Sequence, residues 1–278
     1  MNESTLLPAM PVGTAAPYLG GKRNLARRVV TRLRAIPHTT YVEPFVGMGG
    51  IFLQRPFRAR AEVINDISSD VSNLFRILQR HYVALMDMLR WQLTSRAEFE
   101  RLLAANADTL TDLERAARFL YLQRLCFGGK ITGRSFGVAP GVPARFDVTK
   151  LGAVLEDIHE RLSAVVIERL PYAEVIARYD RPDTLFYLDP PYWGCERDYG
   201  PGVFDPADFT RLAEQLAAIK GKFLMSLNDE PGVREIFGRF QIEAIDTTYT
   251  VGSVAQEAAE VLITNAADVA FGLFGVEA

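Results

Sequence analysis

Thr184-Leu185-Phe186-Tyr187-Leu188-Asp189-Pro190-Pro191-Tyr192-Trp193 is the stretch around which this chain is organised. Residues 185–188 form an apolar, aromatic-rich run of the kind found in a buried parallel strand. The run stops at Asp189. Pro190 and Pro191 then forbid both a continued strand and an immediate helix, because each fixes φ and lacks an N–H. Pro191 also biases Pro190 towards an extended backbone. The result is a rigid turn at the carboxyl end of a sheet strand, where ligands bind in open α/β sheets. The turn presents the Asp189 carboxylate, carbonyls with no helix to accept into, and the aromatic face of Tyr192. That set suits a planar ring bearing an amino group: the carboxylate and the Pro190 carbonyl accept its N–H groups, and Tyr192 stacks on it. The plainer alternative is a strand-to-loop turn with Asp189 as a helix cap, a common use of Asp before Pro. Asp-Pro-Pro-Tyr directly after an apolar strand is the more specific signal.

The bulk properties bound the rest. The chain has 278 residues, 49% of them hydrophobic, which suits one α/β domain carrying an insertion. The formal net charge is −3, so any nucleic-acid site must be a local patch. The two cysteines, Cys126 and Cys195, are far apart and match no metal spacing, which points to a reducing compartment and a cytoplasmic protein. No run is long and apolar enough to span a bilayer. Residues 1–16 lack the basic start and apolar segment of a signal peptide and read as a loose arm.

Tyr18-Leu19-Gly20-Gly21-Lys22 opens the patterned part of the chain. A helix follows, with Leu25, Val29, Val30 and Leu33 inward and the arginines around them outward, until Pro37 ends it. Tyr18 and Lys22 flank a Gly-Gly turn that lets backbone approach a ligand. Residues 40–45 read as a strand running into Glu43-Pro44-Phe45-Val46-Gly47-Met48-Gly49-Gly50, with Ile51, Phe52 and Leu53 opening a helix. A glycine cluster at a strand-to-helix turn lets a ligand pack against bare backbone beside a helix N-terminus. The next strand, residues 61–64, ends at Asn65-Asp66, where an acid is placed to hold a ribose hydroxyl pair. Asp66 or Asp70 could instead cap the following helix.

From residue 71 to about 163 the strand-helix alternation stops and helices dominate: 71–93, with a break near His81, then 96–105 and 110–125. We read this as an inserted domain, 71–163, within a discontinuous sheet domain, 1–70 and 164–278. Residues 115–145 contain six arginines and lysines and not one Asp or Glu, a local positive field in a net-acidic chain. Within it, residues 127–137 are punctuated by glycine and read as a hairpin or long loop. Basic residues interleaved with aromatics suit phosphate and base contact. The alternative is an ordinary solvated basic loop. Alternation then resumes with strands at 165–169, 185–188 and 222–227, helices at 154–162, 172–179, 205–219 and 232–240, and a closing antiparallel pair, 241–249 with 260–265. His38, His81 and His159 stand apart, and nothing marks any of them as catalytic.

Taken together, these blocks resemble the Dam-type DNA adenine N6-methyltransferases, including phage and restriction-modification members. Tyr-Leu-Gly-Gly-Lys at 18–22 resembles that family's N-terminal cofactor motif, and the Glu43 to Gly50 block its glycine-rich motif. Asn65-Asp66 resembles its acidic strand end, and Asp-Pro-Pro-Tyr its catalytic motif. Tyr121-Leu122-Gln123-Arg124 followed by Phe127-Gly128-Gly129 resembles the start of its DNA-reading hairpin. The resemblance implies a Rossmann-like α/β sheet of the S-adenosylmethionine-dependent methyltransferase type, with an inserted, mostly helical DNA-recognition domain. It implies S-adenosylmethionine as methyl donor and double-stranded DNA as partner. Asp189, Pro190, Pro191 and Tyr192 are then expected to hold the target base. Tyr18, Lys22, Phe45, Gly47, Gly49, Asp66 and Asp189 are expected at the cofactor, and Arg124, Lys130 and Arg134 at DNA. The chain departs from the family in the hairpin. Residues 128–134 stand where specific members commonly carry Asn-Gly-Leu-x-Arg, which allows a looser preference than GATC.

The chemistry so implied needs neither metal nor covalent intermediate. Asp189 and the Pro190 carbonyl would draw the exocyclic amine towards a tetrahedral shape and localise its lone pair on the nitrogen, directed towards the donor methyl. The target is buried in duplex and must be flipped out to react. Rival readings are a methyltransferase acting on cytosine N4, RNA or a protein amide, a catalytically silent DNA-binding protein on the same scaffold, and a nucleotide-dependent dehydrogenase. The acid-free basic stretch favours nucleic acid and the order of the blocks favours adenine, while intact Asp189, Pro190, Pro191, Tyr192 and Lys22 argue against a silent protein; the dehydrogenase, which glycine turns alone do not exclude, is a distant third.

Overall fold

The computed structural model describes residues 6–18, 25–137, 141–200, 202–251 and 254–266. In chain order the strands are β1 (Leu7–Pro8), β2 (Thr40–Glu43), β3 (Phe57–Arg58), β4 (Ala61–Asn65), β5 (Val166–Glu168), β6 (Thr184–Leu188), β7 (Lys222–Asn228), β8 (Gln241–Val251) and β9 (Val254–Thr264). The helices are α1 (Ala26–Ala35), α2 (Ser69–Leu89), α3 (Arg96–Ala104), α4 (Asp112–Leu125), α5 (Val148–Arg161), α6 (Tyr172–Tyr179), α7 (Pro206–Ala218) and α8 (Pro231–Ile236).

Seven strands form one sheet in the order β5-β4-β2-β6-β7-β9-β8. The pairs from β5 to β7 are parallel, and β9 joins antiparallel to β7 and to β8. From β2 the chain steps to β4 on one side and later to β6 on the other. The carboxyl ends of β2 and β6 therefore flank the point where strand order reverses. Glu43 to Gly47 leave one of these ends and Asp189 leaves the other.

The sheet is buried on both faces, and its residues alternate accordingly. Tyr41, Ile64, Leu185, Tyr187, Leu224 and Leu262 join a core with α1, α2, α4 and α5. Val42, Val63, Phe186, Leu188, Met225 and Ile263 join a second core with α6, α7 and α8. All five residues of β6 are buried, as its continuous apolar sequence requires. The 71–163 stretch packs its apolar residues into the first of these cores, shared with the sheet. A buried ion triad fastens its end there. Glu62 of β4 accepts from Arg55 at 2.6 Å and from Arg161 of α5 at 2.6 and 3.1 Å, and the Arg55 guanidinium lies 3.5 Å from the centre of the Tyr41 ring. Removing Glu62 would leave two buried cations, at a cost of about 3–5 kcal/mol.

The helix break expected near His81 is present: His81 has φ −133° and ψ 31° inside α2. Helix α6 spans the residues its apolar spacing indicates, and α8 is shorter than 232–240, opening at Pro231 and ending at Ile236. Two expectations are corrected. Residues 51–53 do not open a helix. The chain makes one turn, with Leu53 N–H donating to Gly49 and Gln54 N–H to Ile51, and Pro56 arrives before a second turn can form. Nor are residues 6–16 a loose arm. Leu7–Pro8 pair with Phe57–Arg58, Val12 N–H donates to the Leu53 carbonyl at 2.8 Å, and Val12, Ala15 and Ala16 are buried. Small apolar residues carry that docking, and composition alone does not distinguish them from an unfolded arm.

Candidate active site

A cavity of about 970 Å³ opens across the carboxyl ends of β5, β4, β2 and β6. Its floor begins at the glycine turn. Gly47 has φ 51°, and a Cβ there would lie 3.1 Å from the Tyr18 ring, so the turn needs glycine both for its backbone and for that contact. The Gly47 N–H donates to Asp66 Oδ2 at 2.9 Å, and the Ser68 N–H donates to Asp66 Oδ1 at 2.9 Å. Burial pushes the Asp66 carboxyl up to about 6, against the pull of these two donors. Beneath it, Asn65 donates to the Pro44 and Leu170 carbonyls and accepts from the Leu170 N–H, which clamps the glycine turn to the β5–α6 connection. Phe45, Tyr172 and Phe204 form an aromatic cluster on the same wall, with centroids 5.4–6.1 Å apart.

The proline corner closes the other side. Asp189 and Pro191 line the cavity; Pro190 and Tyr192 do not. Asp189 Oδ1 accepts from Ser226 Oγ at 3.1 Å. Asn228 at the end of β7 holds the corner twice, accepting from the Trp193 N–H at 2.9 Å and donating to the Trp193 carbonyl at 3.1 Å. The Trp193 ring packs on Phe209, 5.0 Å between centroids. The Tyr192 hydroxyl meets the buried Glu260 of β9; burial, then the charges of Asp189 and Glu260, hold its pKa far above the ordinary value. The rigidity expected of two prolines is thus reinforced by side chains from β7 and β9.

The cavity gathers Tyr18, Phe45, Gly47, Asp66 and Asp189 on one wall system. Gly49 sits outside it, against Leu53 and Phe75. Lys22 lies outside the described residues. Two of the three basic residues expected at DNA are hydrogen-bonded within the protein. Arg124 lines the cavity, and its guanidinium donates to the Ala15 carbonyl at 2.7 Å and twice to the Arg145 carbonyl at 2.9 and 2.8 Å. Arg134 donates to Gln123 Oε1 at 3.0 Å and to the Lys130 carbonyl, and lies over the Phe119 ring. Burial lowers the pKa of both arginines. Lys130 is exposed. The loop at 127–137 is a closed one, joined by a bridge between Cys126 and Phe136, and residues 127–129 form a tight turn.

Several participants escaped sequence reasoning. Glu43, at the end of β2, is fully buried on the cavity wall. Burial pushes its carboxyl up to about 8 and the Asp189 charge adds to this, while the Tyr41 hydroxyl, donating at 2.7 Å, and Arg55 pull it down. Its only sequence signal is its place in the glycine block. Gln123, completely buried, donates to the Pro17 and Gly129 carbonyls and so ties the basic loop to the segment that carries Tyr18. A Cβ on Gly129 would lie 3.1 Å from the Tyr18 nitrogen, which explains the glycine at that close approach. Ser226 and Asn228 could have been suspected from their position at the end of the strand next to β6.

Comparison with known proteins gives the same picture. A family model described as D12 class N6 adenine-specific DNA methyltransferase matches residues 18–251. The chain is 26% identical to the type II methyltransferase M1.LlaDCHI of Lactococcus lactis subsp. cremoris, over 89% of this chain and 93% of that protein. It is 28% identical to the DNA adenine methylase of Salmonella typhi, over 76% and 80% of the two chains. It is also 26% identical to the DNA N-6-adenine-methyltransferase of Escherichia phage P1, over 82% of this chain and 32% of that one. A reversed parallel sheet with a glycine turn and an acidic proline corner opening on one cavity defines a Rossmann-like methyltransferase. This chain belongs to the D12 class of N6 adenine-specific DNA methyltransferases, and its reaction is methylation of adenine N6 in DNA.

Proposed function

We propose that the cavity binds S-adenosylmethionine and that the proline corner presents to it an adenine flipped out of double-stranded DNA. The observation that carries this is that Asp66 with Gly47, on one side, and Asp189, on the other, open on a single cavity of about 970 Å³. The residues present fit the donor. Asp66 offers a carboxylate, braced by two backbone N–H groups, for ribose hydroxyls. The aromatic cluster of Phe45, Tyr172 and Phe204 suits a purine face. When bound, the donor supplies a methyl group on a sulfonium, which is itself a good leaving group.

The protein's own work is positioning. Asp189 and the Pro190 carbonyl accept the two N–H groups of the target amine and turn its lone pair towards the methyl carbon. Tyr192 stacks on the ring, with its hydroxyl anchored by Glu260 so that the aromatic plane is fixed. Residues 71–163 approach the duplex through the loop at 127–137, with Lys130 at phosphate. Arg124 and Arg134 act one step back, by shaping that loop and the strand beneath it.

The test is mass spectrometry of digested duplex DNA after incubation with S-adenosylmethionine. N6-methyladenine is expected with the wild type. Asp189→Ala should lose activity by roughly a hundredfold or more while remaining folded. Methyl groups on cytosine N4, or an Asp189→Ala variant of near-normal activity, would overturn the reading.

A further inference from the structure

We propose that Tyr187 and Ser226 form a two-hydroxyl donor chain that positions the Asp189 carboxylate and keeps it ionised for its work on the target amine. This rests on the reading of Asp189 as the acceptor for that amine. Ser226 lies on β7 and Tyr187 on β6, and both are fully buried. The Tyr187 and Ser226 hydroxyl oxygens are 2.8 Å apart, and Ser226 Oγ lies 3.1 Å from Asp189 Oδ1. The direction of the chain follows from counting protons. A serine hydroxyl has one hydrogen, and the carboxylate can only accept. Ser226 therefore gives its hydrogen to Asp189 and must accept from Tyr187. Burial, then the charge of Asp189, hold the Tyr187 hydroxyl well above its ordinary pKa, so it stays a donor at every working pH.

A chain of donors ending on a carboxylate does two things. It stabilises the charged form of that carboxylate, and it fixes the rotation of the group. Position alone would not demand hydroxyls here. Ser226 is completely buried, and a buried hydroxyl without a partner costs stability. Glu43, Tyr192 and Tyr199 also bear on Asp189. Glu43 from β2 raises no competing negative charge below about pH 8, where it holds its proton. Tyr192, on the corner, and Tyr199, on the turn at Glu196–Tyr199, stay protonated. Glu260 of β9 lies behind the Tyr192 hydroxyl.

The experiment is a pH profile of kcat, with KM for S-adenosylmethionine and for DNA, on Ser226→Ala, Tyr187→Phe, the double variant and Ser226→Thr. Ser226→Ala should lower kcat about tenfold and move the acid limb up by about one pH unit, with both KM values within about twofold. Tyr187→Phe should move the limb the same way by less, and should add nothing to it in the Ser226→Ala background. Ser226→Thr, which keeps the hydroxyl, should restore the limb. A purely structural role would lower melting temperature and kcat equally at all pH values and leave the limb in place. That result, or a Tyr187→Phe shift of equal size in both backgrounds, overturns the chain. If Asp189→Ala is itself active, the underlying reading fails instead, so the two failures are distinct.

Discussion

The proline corner at 189–193 and the basic loop at 127–137 are both short, irregular and attached to the ends of regular elements, yet they are held in different ways. The corner is fastened from outside, by Ser226 and Asn228 of β7 and Glu260 of β9, and its acid is left at the cavity wall. The loop is fastened partly by its own Arg134, which donates to the Lys130 carbonyl, and partly by Gln123 of α4, which donates to the Gly129 and Pro17 carbonyls, while Arg124 of α4 braces the Ala15 and Arg145 carbonyls beside it. The difference teaches that a charge in a motif acts on a ligand only where other groups satisfy the backbone around it. In the loop the arginines are those groups. Arg124 and Arg134 brace the backbone around the loop and the segment before Tyr18, and they keep their charge while doing so.

The sharpest way to break this contrast is Arg124→Ala. Stripping three donors from two carbonyls should cost about 1–3 kcal/mol, lower the melting temperature by several degrees, and weaken donor binding at least as much as DNA binding. Calorimetric melting and separate titrations check it; selective loss of DNA affinity at unchanged stability would return Arg124 to the phosphate backbone. A smaller effect is expected beneath the corner. The Glu43 carboxyl is raised from about 4.5 to about 8, so between those values the folded chain holds a proton that the unfolded chain has released. Stability must therefore fall as pH rises across that window and level off above it. Glu43→Gln should remove this part of the fall, read as a smaller difference in melting temperature between about pH 5 and pH 8 than in the wild type. Equal differences would mean that Glu43 is ionised throughout. Lys130→Ala should give the smallest change. Its side chain is exposed, so DNA affinity should drop a few-fold and the salt slope of binding by about one, at unchanged melting temperature. An unaltered slope would remove the loop tip from the DNA contact.

Much of the fold was legible because its signals are local. The strand at 184–188, the helix at 172–179 and the break at His81 each follow from a few neighbouring residues. So does the meeting of Gly47 and Asp66, because both leave the carboxyl ends of adjacent parallel strands. The misread parts are those where a distant partner decides. Ile51 to Leu53 have helical apolarity, but the turn there is stopped by Pro56 and docked to the returning segment at Ala9 and Val12. The carbonyls that accept from Arg124 and Arg134 are likewise not indicated by composition. Glu43, Tyr187 and Gln123 stand inside quoted blocks, but their roles and that of Ser226 rest on contacts the blocks do not spell out, such as Tyr187 with Ser226 and Gln123 with Pro17, 39 and 106 positions apart.

What the amino-acid order alone settled was the class of sheet, the acid on its stiff proline turn and the family of reaction. Backbone restriction by proline and glycine and the alternation of apolar residues are short-range effects. What only the folded chain decided was which polar groups face the cavity and which are consumed in holding it together. Hydrogen-bond partners and burial depend on segments remote in sequence, and each donor can be given to one acceptor at a time.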